Sequence, residues 1–114
     1  MVELFNRWLS WVKTLPGGCP FVAAAVELDD REGVVRDFLV RSQQDWIGSL
    51  ARAAEIAAEQ KHFGDKLSPR QFAFELHSLM LGYHFHHRLL RDENVASWVE
   101  RAFRRLIDEA RSTR

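Results

Sequence analysis

The sequence predicts an all-α fold: a five-helix bundle whose last two long helices form a four-helix dimer interface with a two-fold mate. Three observations lead there. Apolar residues recur with the helical period in five segments, and no segment alternates as a half-buried strand does. The six glycines and three prolines are scarce and clustered, which marks them as punctuation between helices. The fourth segment is apolar on more sides than one small chain can cover.

Length and composition narrow the function classes. A chain of 114 residues makes one domain, 1–114, large enough to bury a core without metal or disulfide staples. Apolar residues at 46% and charged residues at 28% describe a globular chain rather than a disordered one. Sixteen basic residues balance sixteen acidic ones, so the basic footprint of a nucleic-acid binder is missing. A single cysteine forms no internal disulfide, which suits a cytoplasmic protein. No apolar run reaches the roughly 18 residues of a membrane span, and MVELFNRWLSW lacks the basic start and cleavage site of a signal peptide.

The first helix is expected over about 2–13, with Leu4, Phe5, Trp8, Trp11, Val12 and Leu15 on one broad side, ended by Pro16-Gly17-Gly18. The second runs over about 20–30, opened by Cys19-Pro20 because proline suits the first helical position. The third is long, about 34–62, with Val35, Leu39, Ser42, Trp46, Leu50, Ala53 and Ala57 as its buried stripe, and Gly64-Asp65-Lys66 as its break. At 1.5 Å per residue it spans about 40 Å. Ser68-Pro69 supplies an N-cap and a first-turn proline for the fourth helix, 68–91. Asn94 is expected to cap the fifth, 94–110, whose stripe is Val95, Trp98, Val99, Ala102, Phe103, Leu106 and Ala110.

The fourth helix carries the most information. Placed on a wheel at 100° per residue, one stripe holds Phe72, Leu76, Leu79, Tyr83 and Leu90. A second holds Ala73, His77, Met80, His84 and His87, and a third holds Phe74, Leu81 and Phe85. Only Glu75, Ser78, Gly82 and His86 make a small or polar side. A surface helix normally buries one face, and monomers rarely expose apolar patches of a few hundred Å². A helix buried at the centre of a monomer is one solution. The preferred one is a homodimer, in which this helix and the fifth meet their copies across a two-fold axis. The interface expected is Phe72, Leu76, Leu79, Gly82, Tyr83 and Leu90 with Trp98, Ala102, Phe103 and Leu106, and Gly82 and Ser78 mark the closest helix approach.

The stretches LPGGCPFVAAAVELDDREGVVRD (15–37) and SPRQFAFELHSLMLGYHFHHRLLRD (68–92) resemble the C-terminal domain of TetR-family transcriptional regulators. The resemblance covers nearly the whole chain and is most specific in the GGC-FVAAA-E-DD run. It implies that the domain binds a small-molecule effector, dimerises through its last two helices, and serves a helix-turn-helix domain lying ahead of it. No segment here shows two short helices around a glycine turn with a basic recognition helix. The chain is therefore expected to be the regulatory domain without its reader, with no direct nucleic-acid binding of its own.

The sequence offers four candidate sites. Cys19, at a helix N-terminus, suits an activated thiol, but a small residue filling a tight spot beside two glycines is the simpler reading. Gly17 and Gly18 are candidate hinge residues by the resemblance alone. His77, His84, His86 and His87 invite a metal, yet His77 and His84 lie about 10 Å apart along one helix and cannot converge on one zinc ion. No metal and no cofactor is expected, and the histidines read as core or interface groups. A hydrophobic effector needs an apolar hollow with a few polar groups. Trp8, Trp11, Phe21, Trp46, His77, Met80 and His84 are the residues expected to form it as a group, although each taken singly is more readily core. No nucleophile with a matched base, phosphate-binding glycine loop or carboxylate pair appears, so no catalytic residue is expected. The competing function is a structural or adaptor helical dimer without a small-molecule ligand.

Overall fold

The protein is described by a computed structural model at residues 1–14, 19–30 and 32–113. Five helices are present among them, in the predicted order: α1 (Val2–Thr14), α2 (Pro20–Leu28), α3 (Val34–Glu59), α4 (Pro69–Arg88) and α5 (Val95–Ser112). No described helix is long and apolar enough to cross a membrane. The chain divides into two compact units, Met1–Trp46 and Ile47–Arg114, and the division falls within α3.

In the first unit, α1 buries Phe5, Trp8 and Val12, spaced i, i+3, i+7 on one stripe. Trp11, expected beside them, is 37% exposed. Cys19 is the N-cap of α2 in extended backbone, makes no side-chain capping bond, and is followed by Pro20 in the first turn. Helix α2 stops at Leu28, two residues before the expected end, because Asp29 and Asp30 form a turn. Arg36 Nε donates to the Asp29 carbonyl at 3.2 Å. Gly33 has φ 142°, a conformation that favours glycine, and its carbonyl accepts the Asp37 N–H at 3.0 Å to begin α3. Val35, read from the wheel as buried, is 66% exposed, as are its neighbours Val34 (82%) and Phe38 (63%).

The second unit holds the larger core. Leu50 and Ala54 of α3 are fully buried. The helix ends at Glu59, three residues before the expected boundary, because Lys61 adopts the left-handed conformation at φ 63°. The His62 N–H then reaches back to the Ala57 carbonyl (2.8 Å) and the Lys61 N–H to that of Ala58 (3.0 Å), a Schellman stop. The turn buries Phe63, whose ring lies 5.2 Å from that of Phe72. Ser68 caps α4 as predicted, its hydroxyl accepting the Gln71 N–H at 3.3 Å. Asn94 does not cap α5 with its side chain. Its own N–H donates to the Asp92 carboxylate at 2.8 Å. The short 89–94 connection makes α4 and α5 packed neighbours. Val95, Val99, Phe103, Leu106, Ile107 and Ala110 of α5 are buried.

Candidate functional site

Helix α4 carries the candidate site, and its faces separate sharply. Phe72, Leu76 and Tyr83 are at most 1% exposed, and Ala73, Met80 and His84 beside them are buried. Opposite them, Phe74 is 66%, Leu81 39%, Phe85 52% and Leu89 66% exposed. Ser78 lies on this open face, and its hydroxyl donates to the Phe74 carbonyl at 2.7 Å. A Cβ built on Gly82 meets nothing within 4 Å.

The expected interface residues are divided accordingly. Phe72, Leu76, Tyr83, Phe103 and Leu106 are core of the chain itself, because α4 and α5 bury these stripes in the same unit. A partner cannot reach them in this arrangement. Leu79 and Ala102 are half-buried. Gly82, Leu90 (52%) and Trp98 (50%) are open to solvent. The missed residues are Phe74, Leu81 and Phe85. The wheel isolated them as a third stripe, but apolar character alone does not say which stripe the chain covers from within.

The histidines differ in environment. His84 is buried, and desolvation, then the positive charge of Arg88, then His87, lowers its pKa below the usual 6.5. His77 is half-buried, and burial lowers its pKa as well. Both therefore favour the neutral imidazole, which offers one donor and one acceptor. The His87 ring stacks on Tyr83, with centroids 5.3 Å apart and planes 7° from parallel. His86 packs edge-on against Phe85. Burial also raises the pKa of the Tyr83 phenol. Among the described residues no group of three or more His, Cys, Asp or Glu is placed to hold a metal ion.

The residues expected around an effector fall in both units. In the first, Trp8 is buried, Trp46 half-buried, and Trp11 and Phe21 about two-fifths exposed. In the second, Met80 and His84 are core and His77 is half-open. Cys19 is 4% exposed, as a small packing residue is. Gly17 and Gly18 lie outside the described residues.

The sequence was also compared with known proteins. No curated protein and no solved structure matches it. The family described as "Tetracyclin repressor-like, C-terminal domain" matches residues 1–103. The chain, all-α with five helices among its described residues, thus belongs to the TetR-like family of regulator C-terminal domains.

Proposed function

We propose that this domain senses a hydrophobic small molecule for a transcriptional regulator and joins that regulator into a homodimer, with recognition by binding and no catalytic step. The family match over residues 1–103 carries the reading. Exposed aromatic surface on α4 supports the dimer: Phe74 and Phe85 would otherwise stand in water. His77 supports the effector part. Half-buried, with its pKa lowered by burial, it is the polar group we assign to the effector, able in its neutral form to donate or accept one hydrogen bond.

A structural dimer without ligand is the second reading. It is favoured by Met80 and Trp8, two of the expected effector contacts that the core itself occupies. Screening apolar small molecules by tryptophan emission and thermal shift separates the two. The sensing reading expects at least one compound that changes emission and raises the melting temperature in a saturable way, with His77→Ala weakening it. Emission and melting temperature that stay constant across the screen support the structural reading.

A further inference from the structure

We propose that Gly48 and Ser49 form a hinge inside α3, at which the helix bends reversibly so that the compact unit on either side moves as its own body. The hinge goes beyond the sensing and dimer readings and depends on neither.

Four observations carry it. Helix α3 runs unbroken over Val34–Glu59, yet the chain divides into its compact units between Trp46 and Ile47, inside that helix. Gly48 follows within two residues. Nothing in the fold asks for glycine there. The position is exposed and helical, a Cβ on it would meet nothing within 4 Å, and its backbone is not left-handed. Gly64, by contrast, is required by the close approach of the Thr113 carbonyl. The next residue is Ser49, also exposed, and Gly/Ser pairs are among the few places where long helices kink.

The fourth observation is where α3 is anchored. Its two buried residues, Leu50 and Ala54, both follow the pair. Ahead of the pair no residue of the helix is fully buried, and Val34, Val35 and Phe38 stand mostly in water. The second half of α3 is thus pinned by its core and the first half is not. A bend placed ahead of Leu50 leaves that core packing untouched.

The local chemistry favours the same place. Bending opens a few hydrogen bonds of the i→i−4 ladder, and the freed groups need new partners. Gly48 and Ser49 are exposed, so water can supply them. With no Cβ, glycine also has more backbone freedom to regain when the turn opens. The helical state is disfavoured about fivefold relative to alanine, the equivalent of about 1 kcal/mol. A hinge of this kind absorbs its change of backbone angles at a few residues.

Pulsed electron-spin distance measurement on the whole chain tests the hinge. Nitroxide labels go on Arg41→Cys and Glu55→Cys, both exposed positions on either side of the pair. Cys19→Ala removes the native thiol, and Glu55 gives up only an exposed ion pair with Arg52. Along a straight helix the two positions lie about 21 Å apart. The labelled chain is expected to show a broad distribution with a population shorter than the straight-helix distance. Adding Gly48→Ala, which meets no neighbour, should cut the bent population about fivefold and narrow the distribution, with the helical circular dichroism retained. A single narrow distance in the chain that keeps Gly48 overturns the hinge. A broad distribution that Gly48→Ala leaves unchanged overturns its placement at this pair.

Discussion

Position 64 is where a single atom decides the most. The Gly64 N–H donates to the Ala110 carbonyl at 2.8 Å, and the Lys66 N–H to that of Thr113 at 3.4 Å, so the α3–α4 loop is tied to the end of α5. A methyl group at Gly64 would fall on the Thr113 carbonyl. That atom is backbone and cannot rotate aside. Gly64→Ala is therefore expected to cost about 1–3 kcal/mol, as overpacking does, read as a lower urea midpoint with an unchanged slope. In the sequence Gly64 reads only as a helix breaker, because the strand of chain it touches lies some fifty residues away. The histidines act at the same scale. Folded His77 and His84 both titrate below the ordinary 6.5. Between the folded and unfolded values the unfolded chain holds protons that the folded chain does not. Stability is thus full above about pH 6.5 and falls as the pH drops toward the folded values. The melting temperature should decline from pH 7.5 to 5.5, and less steeply in a His77→Gln/His84→Gln double variant. A decline of equal slope in both proteins would assign the acid sensitivity to other groups.

At the scale of elements, the helix starts were legible and several stops were not. Ser68-Pro69 announces α4 because a hydroxyl N-cap and a proline in the first turn both act within four residues. Removing the hydroxyl with Ser68→Ala should cost about 1 kcal/mol, measured by chemical denaturation. The end of α3 has no comparable signal. Lys61 is a poor left-handed residue compared with glycine, and it takes that conformation in the turn that buries Phe63 beside Phe72. A tertiary contact thus sets a local stop. The faces of α4 obey the same rule. Their existence was plain on the wheel, but the choice of Phe72, Leu76 and Tyr83 as core, with Phe74, Leu81 and Phe85 left outside, depends on how α4 meets α5. The surface pairs Arg7–Glu3 (2.5 Å) and Arg104–Glu100 (2.6 Å) add little to either helix, since exposed ion pairs contribute about 0–1 kcal/mol.

At the scale of the whole molecule, charge and aromatic content lead to opposite expectations for nucleic acid and for an apolar effector. With sixteen basic and sixteen acidic residues, the chain carries no net positive charge of the kind that drives phosphate binding and its salt dependence. Gel-shift titration at physiological salt should show no sequence-specific duplex binding by the 114-residue chain. A specific shift would mean that one of the five helices reads base edges. For an apolar effector the expectation is opposite. A ligand that binds only the folded state stabilises it by about 2.7 kcal/mol at a hundredfold excess over its dissociation constant, and the four tryptophans make occupancy visible as an emission change. Trp46 is half-buried, so it senses its surroundings without being sealed in the core. Trp46→Ala is a poor test, because losing a large aromatic costs roughly 3–5 kcal/mol through packing alone, and lost binding would then mean only a lost fold. Trp46→Phe keeps most of the volume and removes the indole. If Trp46 contacts the effector, this variant melts near the wild-type temperature, binds a confirmed effector more weakly, and loses most of the emission response. If fold and affinity are both unchanged while the emission response persists, the responding indole is another of the four, and Trp46 serves packing alone.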